Sequence, residues 1–180
     1  MARLGAEGTP AHFTAEPSTG PVGRVIRDGL RQVDAPPSLE LMALLFAADR
    51  LDHVTREVEP LLARGTHVLT DRYVWSSLAY QGARLPADWV ATLNRAARRP
   101  DLTILFDVAP EVALERRMQR GGAVEIYDDL PMQWAVAARY RALAAEASAG
   151  AVAILDAGAG FDDVAAALYA AVRRCLEPDA

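Results

Sequence analysis

The stretch Val68-Leu69-Thr70-Asp71-Arg72-Tyr73-Val74-Trp75-Ser76-Ser77-Leu78-Ala79-Tyr80-Gln81-Gly82 decides how the rest of this chain is interpreted. It opens with apolar and β-branched residues typical of a strand and continues with residues that can form a helix. Asp71 and Arg72 stand where the strand ends, and in parallel α/β sheets ligands bind beyond the carboxyl ends of the strands. Both side chains are therefore candidate site residues. The alternative is that Asp71 caps the next helix and Arg72 is solvated.

Strand and helix patterns alternate on both sides of this stretch. Strands are predicted at 11–15, 66–70, 102–107 and 151–156, and helices at 21–33, 38–64, 76–82, 86–98, 111–120, 131–148 and 161–176. The near-continuous apolar run at 102–107 is typical of a strand buried on both faces of a parallel sheet. The alternation predicts an α/β fold, a doubly wound parallel sheet with right-handed crossovers, in a single domain that spans residues 1–180.

Composition excludes several classes of protein. The chain is 52% hydrophobic with a net charge of −5, which argues against disorder and against a general nucleic-acid binder. One cysteine, Cys175, excludes an internal disulfide framework, and His12, His53 and His67 lack the spacing of a metal site. No apolar run is long enough to span a membrane and no signal pattern opens the chain, so we expect a cytoplasmic protein without membrane contact.

The identity of the basic residues excludes one kind of phosphate-binding loop. All 19 are arginine, so no G-x-x-x-x-G-K-[ST] phosphate loop is present within these 180 residues.

The predicted helix 38–64 carries polar groups where a plain core face would be apolar. Four residues fall at i, i+3, i+4 and i+7 on one face: Phe46, Asp49, Arg50 and His53. Such a face is either the partly solvated edge of an amphipathic stripe or the wall of a binding pocket.

Several blocks of sequence occur in a fixed order. They are Phe13-Thr14-Ala15-Glu16-Pro17, Leu44-Leu45-Phe46-Ala47-Ala48-Asp49-Arg50, the stretch from Asp71 to Gly82, and Pro100-Asp101-Leu102-Thr103 continuing through Asp107-Val108 to Arg117. The first three are similar to F-T-R-E-P, L-L-F-x-A-x-R and D-R-Y-x-x-S-x-x-A-Y-Q-G of the thymidylate kinase family. These P-loop enzymes phosphorylate dTMP with ATP. The blocks cover most of the chain, so chance is a poor explanation.

The resemblance implies a thymidine nucleotide pocket on the face of the 38–64 helix. Phe46 would stack on the thymine ring and Arg50 would hydrogen-bond the base edge, since a flat ring and a fork of N–H donors suit a pyrimidine. Further substrate-binding residues implied in this way are Glu16, Ser77, Tyr80 and Gln81. For Tyr80 an ordinary core role is the alternative.

The resemblance also implies which residues would bind the phosphates of dTMP and ATP. Arg72 would hold the dTMP phosphate bidentately, and Asp71 would act near Mg²⁺ or its waters, with ATP as phosphoryl donor. Arg116 and Arg120 precede a short lid segment at about 121–129 and would face the ATP side, where cations meet the developing charge. Surface solvation is equally plausible for these two arginines, since Val124-Glu125-Ile126-Tyr127-Asp128 lacks the D-R-x-E pattern common in such lids.

Three departures from the family pattern affect the expected activity. A first strand and a G-x-x-G-x-G-K-[ST] loop precede F-T-R-E-P in the family, and residues 1–8 look like the end of the helix that follows them. We therefore expect that the first strand and P-loop are missing, that the sheet has exposed apolar edges, and that the chain as given has little kinase activity. Ala15 replaces the Arg of F-T-R-E-P, and Trp75 stands where an acid or small residue is common.

Three hypotheses follow from these departures. Met1 could be internal to a longer, working thymidylate kinase. The chain could instead be a remnant that binds thymidine nucleotide or a partner subunit without catalysis. It could also serve another nucleoside monophosphate. The resemblance further implies a possible homodimer through the 38–64 helix.

Overall fold

The computed structural model describes residues 2–121, 126–127, 129–147 and 152–177. Most of the predicted lid segment at 121–129 lies outside the described residues, including Val124, Glu125 and Asp128. The predicted helix end at Ser148 and the predicted strand start at Ala151 lie outside them as well.

Strands and helices alternate within the described residues. The strands are β1 (Ala11–Ala15), β2 (His67–Asp71), β3 (Thr103–Asp107) and β4 (Val152–Asp156). The α-helices are α1 (Ala2–Ala6), α2 (Pro21–Leu30), α3 (Leu39–His53), α4 (Glu59–Leu62), α5 (Val74–Tyr80), α6 (Ala87–Asn94), α7 (Pro110–Gln119), α8 (Leu130–Glu146) and α9 (Phe161–Leu176). A π-helix, Val54–Val58, joins α3 to α4. The predicted α/β class is confirmed.

The strands pair in parallel but form two sheets. β1 pairs with β2 from Ala11 and His67 to Ala15 and Asp71, and β3 pairs with β4. The predicted doubly wound sheet is seen only in part: among the described residues, ladders join β1 to β2 and β3 to β4 in two separate two-stranded sheets. Parallel pairing itself was predicted correctly, and it requires the helical crossovers that the alternation indicated.

The chain folds as two compact units. The first comprises the described residues up to Arg98 together with Ile126 and Tyr127, and the second comprises the remaining described residues. Buried apolar side chains of the first unit include Ile26, Met42, Ala79 and Val90, and those of the second include Leu105, Met132, Val136 and Leu155. The candidate nucleotide-binding residues on α3 and α5 all lie in the first unit.

The strands are less buried than their apolar sequences predict. Phe106 in β3 is 46% exposed, and Ile154 in β4 is 58% exposed. Burial on both faces, expected for 102–107, is therefore wrong for this strand. The physical reason is that a two-stranded sheet has too few neighbours in the plane and too few covering layers to enclose both of its faces.

The 38–64 helix begins as predicted and is interrupted near its end. The Ser38 hydroxyl accepts a hydrogen bond of 3.1 Å from the backbone N–H of Leu41, which is an N-cap contact. The π-helix follows His53, and Pro60 lies just beyond it. Proline has no N–H and its ring crowds the carbonyl four residues earlier, so a widened turn relieves the ladder at this point.

Other helices also differ from prediction at their ends, and the largest differences are at α2, which ends at Leu30 rather than 33, α5 and α6. α5 begins at Val74 rather than Ser76, because Tyr73 has the extended backbone of an N-cap and its carbonyl already accepts from the Ser76 N–H over 2.9 Å. α6 ends at Asn94 rather than Arg98, and tight turns follow in which Arg95 and Ala97 donate to carbonyls three residues back.

Candidate functional site

The site is built on the loop that leaves β1. Glu16 follows the strand, and its backbone N–H donates to the carbonyl of Asp71 over 2.9 Å, so the loop begins beside the end of β2. The Glu16–Pro17 peptide bond is cis. The Glu16 side chain is buried and points to α3.

Side chains from two helices hold this loop in place. Asp49 on α3 accepts from the backbone N–H of Ser18 over 2.7 Å and from its hydroxyl over 2.6 Å. Arg27 on α2 donates to the carbonyls of Pro17 and Ser18 over 2.9 and 2.7 Å. A Cβ on Gly23 would lie 2.0 Å from the Ser18 carbonyl oxygen, so only glycine permits this close approach. The position of Glu16 is thereby fixed.

Arg50 lies at the centre of the site and is almost wholly buried. Its Nε donates to Glu16 Oε2 over 2.9 Å, and its Nη2 lies 2.8 Å from the same oxygen. Nη1 donates to Ser77 Oγ over 3.2 Å and also to Asn94 Oδ1. The guanidinium carbon is 5.3 Å from the centroid of the Tyr73 ring.

These contacts explain how a charged group is tolerated away from water. A buried guanidinium is stable only when it is paired and hydrogen-bonded, and Glu16 supplies the opposite charge. The contacts use Nε, both N–H groups of Nη1 and one of Nη2, which leaves one of the five N–H groups of Arg50 outside them. Such a rigid fork with one spare donor can bind a planar group with a carbonyl edge.

His53 lies on the other side of Glu16. Its Nδ1 is 3.3 Å from Glu16 Oε1, and its Nε2 is 2.9 Å from the hydroxyl of Thr14 and 3.7 Å from Glu57. The hydrogen bond to Glu16 raises the pKa of His53 above its ordinary value, against the opposing effect of burial. Asp49 and His53 were predicted to share a helix face with Arg50. In the structure Asp49 holds the loop that carries Glu16, and His53 contacts the Glu16 carboxylate.

Arg72 has an unusual backbone. It is a non-glycine residue with φ of 64°, and its carbonyl accepts from the Thr70 hydroxyl over 3.0 Å. Its side chain is exposed, and the guanidinium carbon lies 5.1 Å from the centroid of the Tyr80 ring. A left-handed conformation at a bulky residue costs about 1–3 kcal/mol and is concentrated at functional sites. Asp71, also exposed, precedes it at the end of β2.

Aromatic side chains surround the far end of α5. The Tyr80 and Tyr127 rings meet edge to face with centroids 5.5 Å apart, and Gln81 Nε2 is 3.4 Å from the Tyr127 hydroxyl. At the other end of α5, burial raises the pKa of Tyr73 to about 12. Tyr73 therefore stays neutral at ordinary pH and donates its hydroxyl to the Arg98 carbonyl over 3.0 Å.

The predicted site residues fall into groups. Glu16, Arg50 and Ser77 are in direct contact, and half-buried Phe46 lies one helical turn before Arg50. Arg72, Tyr80 and Gln81 form a second group with Tyr127. The predicted lid arginines belong to the other unit, where both are exposed. Arg116 lies on α7 and donates to the Ala157 carbonyl over 2.6 Å, and Arg120 is the C-cap of that helix.

Four residues of the site were not predicted from the sequence: Ser18, Arg27, Asn94 and Tyr127. Asn94 is buried, accepts from Arg50 and donates to the Val90 carbonyl over 2.8 Å. An amide within the apolar pattern of α6 was the available signal. Tyr127 stands in a segment where no periodic pattern marks a buried position.

The described residues contain no group of three or more His, Cys, Asp or Glu side chains that could hold a metal ion. No helix among them is long and apolar enough to cross a membrane.

Comparison with known proteins gave consistent matches. The family model described as thymidylate kinase matches residues 1–168. A probable thymidylate kinase of Pyrobaculum aerophilum is 41% identical over 167 residues, which covers 92% of this chain and 84% of the relative. A probable thymidylate kinase of Methanococcus vannielii is 38% identical over 145 residues, or 80% of this chain and 70% of the relative. A thymidylate kinase of Burkholderia vietnamiensis is 44% identical over 122 residues, or 65% of this chain and 58% of the relative.

Proposed function

This chain belongs to the thymidylate kinase family, and from that premise we propose that its site binds dTMP for transfer of the γ-phosphoryl group of ATP, giving dTDP. Membership of the family implies a nucleoside monophosphate kinase of the P-loop type. The short parallel strands joined by helices agree with that class.

One observation carries the proposal. Glu16, Arg50 and Ser77 come from three separate family-like blocks of sequence and meet around one buried guanidinium. A buried ion pair contributes little to stability compared with apolar packing, so its presence here favours a role in recognition.

The base would lie against α3 and α5. Phe46 supplies an aromatic face for stacking, and the spare N–H of Arg50 supplies a donor for a carbonyl of thymine. Tyr80 and Gln81 would line the deoxyribose side. Because their contacts to Arg72 and Tyr127 are already formed, these side chains need little reordering when a nucleotide binds.

The phosphate of dTMP would bind at Arg72. Its exposed guanidinium is held over the Tyr80 ring, and its strained backbone directs it from the end of β2. Bidentate N–H···O bonds from a guanidinium orient a phosphate as an acceptor for in-line attack.

The side chains at this strand end fit Mg²⁺ as it usually occurs with nucleotides. The ion keeps several waters and uses one or two carboxylates plus substrate phosphates, and Asp71 presents an exposed carboxylate there. Mg²⁺ would neutralise charge on the phosphates when bound. Asp71 would hold the ion or one of its waters.

The ATP side has fewer candidate residues than the dTMP side. Arg116 and Arg120 are exposed and could meet the phosphates of ATP, but none of the 180 residues is a lysine. We propose that this chain alone turns over ATP and dTMP slowly at most, and that binding of thymidine nucleotide without catalysis is the second candidate function. Retention of the acceptor-side contacts favours that second candidate.

A homodimer through α3 is proposed as well. One apolar stripe on α3 is formed by four exposed residues at i, i+3, i+7 and i+10: Leu41, Leu44, Ala48 and Leu51.

We further propose a cytoplasmic location, which family membership supports.

The experiment that tests the function is a substrate panel. Product formation would be measured with ATP and Mg²⁺ against dTMP, dUMP, UMP, CMP, AMP and GMP, using this chain and any longer product of its reading frame. We expect dTMP to be preferred over the other monophosphates wherever turnover is detected. Preference for another monophosphate would contradict it.

A further inference from the structure

We propose that His53 is a positioning residue for Arg50: a protonated His53 holds the Glu16 carboxylate, which in turn fixes the guanidinium for nucleotide binding. The ligand in this inference rests on the proposed function. The positioning itself is a property of the folded chain and can be measured without ligand.

The Glu16 carboxylate divides its two oxygens between two cationic partners. Oε2 faces Arg50 at 2.8–2.9 Å, and Oε1 faces His53 Nδ1 at 3.3 Å. All three side chains are at most 2% exposed, so water cannot replace a lost partner. Rotation of the carboxylate away from Arg50 would have to break the contact with His53 as well.

The other imidazole nitrogen also faces an acceptor. Nε2 lies 2.9 Å from Thr14 Oγ1 and 3.7 Å from Glu57. The Thr14 hydroxyl also hydrogen-bonds the Glu57 carboxylate, which accepts its proton, so the Thr14 oxygen is left to accept from Nε2. A neutral imidazole carries one N–H and can donate on one side only, whereas the protonated ring donates to Glu16 and Thr14 together.

The π-helix supplies the outer carboxylate. It begins directly after His53, and the widened turn brings Glu57, four residues on, to the imidazole. Glu57 is partly exposed and lies 2.9 Å from Nε2 of His12, which is also partly exposed. This arrangement links the buried imidazole to the surface, so His53 can exchange its proton with solvent.

The charges around His53 favour its protonated form. Glu16 faces it from the loop after β1, Glu57 from the π-helix and Asp49 from α3 itself. Arg50 opposes them from beyond Glu16, and His12 lies beyond Glu57. The hydrogen bond to Glu16 and the three carboxylates outweigh burial, and the pKa of His53 is raised.

A ligand-free experiment tests the positioning. We would follow the imidazole signals of His53 by NMR from pH 5 to 10, and the Nε–H signal of Arg50 over the same range. We expect the pKa of His53 to lie above the ordinary histidine value and the Arg50 Nε–H to exchange slowly with water until His53 loses its proton. In His53→Gln the Arg50 signal should exchange fast at every pH. An Arg50 signal that is indifferent to both changes would overturn the inference.

A binding experiment tests the consequence. Titration calorimetry with dTMP would be run above pH 7, because the phosphate itself titrates near pH 6. The wild-type chain should lose affinity about fivefold or more as His53 deprotonates, and His53→Gln should show a flat profile at the weaker value. Parallel profiles in the two proteins would refute the inference. Absence of dTMP binding at every pH would refute the proposed function and leave the NMR result to decide the positioning.

A second variant covers the case in which His53→Gln does not fold. Glu57→Gln removes the outer carboxylate and leaves Glu16, His53 and Arg50 in place. It should lower the pH at which His53 titrates and shift the loss of dTMP affinity by the same amount. A shift in the titration without a shift in affinity would contradict the coupling.

Discussion

Arg50 and Glu16 form an ion pair with Nη2 and Oε2 2.8 Å apart and side chains only 1% and 2% exposed. The pair joins α3 to the loop after β1 across 34 positions of sequence. Ser77 and Asn94 accept from the guanidinium, and His53 faces the other carboxylate oxygen of Glu16. The consequences of this arrangement can be tested separately for stability, binding and assembly.

Replacing one partner of the pair should be strongly destabilising. Glu16→Gln leaves the Arg50 charge buried and uncompensated, so the free energy of unfolding should fall by about 3–5 kcal/mol in urea denaturation. Glu59→Gln is the matched control, because the Glu59–Arg98 pair is about half exposed and should contribute less than about 1 kcal/mol. Similar losses in the two variants would contradict the role assigned to burial.

The phosphate site can be removed without harming the fold. Arg72→Gly deletes the guanidinium and also suits the φ of 64°, so the thermal stability should be unchanged or higher. Affinity for dTMP should fall about 10- to 100-fold, because hydrogen bonds between charged groups are lost. Thymidine, which has no phosphate, is the control ligand in calorimetry. A loss of equal size for thymidine would show that Arg72 does not bind the phosphate.

Close packing of α2 against the loop should make Gly23 intolerant of a side chain. In Gly23→Ala the new Cβ would meet the Ser18 backbone, and unfolding should become easier by about 1–3 kcal/mol. Gly5→Ala is the control, since no atom lies within 4 Å of the added Cβ. If Gly23→Ala were as stable as the control, the loop would not be held as described.

Stability should depend on pH through His53. Because its folded-state pKa is raised above 6.5, the folded chain binds more protons than the unfolded chain once the pH exceeds that value. The stabilising contribution is complete below pH 6.5 and is lost as the pH rises through the folded pKa. The urea midpoint of the wild type should therefore fall as the pH is raised above 6.5. The midpoint of His53→Gln should fall less over the same range. Identical slopes would argue against the raised pKa.

The apolar stripe on α3 should mediate self-association. Leu44→Glu places a charge on the stripe and should shift sedimentation equilibrium toward the monomer. Val25→Glu, a similar change at an exposed site on α2, should leave the equilibrium unaltered. A monomeric wild-type chain, or equal effects of both changes, would remove the dimer proposal.

The sequence was most informative where a local period exists. Helical spacing alone put Asp49, Arg50 and His53 on one face, and a strand followed by Asp71 and Arg72 marked the end of β2. These inferences succeed because side-chain direction follows directly from a regular backbone.

Long-range pairing had no such local signal. The contact of Arg50 with Glu16 depends on how a loop is clamped by Asp49 and Arg27, and Asn94 is a single amide in an apolar helix. The widened turn after His53 depends on Pro60. The chemistry of proline explains why the helical hydrogen bonds are disturbed, but the periodicity of the sequence does not show where the π-helix begins. The pairing of the four strands in two sheets could not be predicted either, because parallel partners are distant in sequence.

The central claim is that dTMP binds at the cluster formed around Arg50 and Arg72. Its most direct test is NMR of the arginine Nε–H groups and backbone amides of the folded chain as dTMP is added. We expect saturable changes at Arg50, Arg72, Ser77 and Tyr80, with thymidine reproducing the change at Arg50 but not that at Arg72. Absence of binding, or binding that leaves Arg50 and Arg72 unchanged, would contradict it.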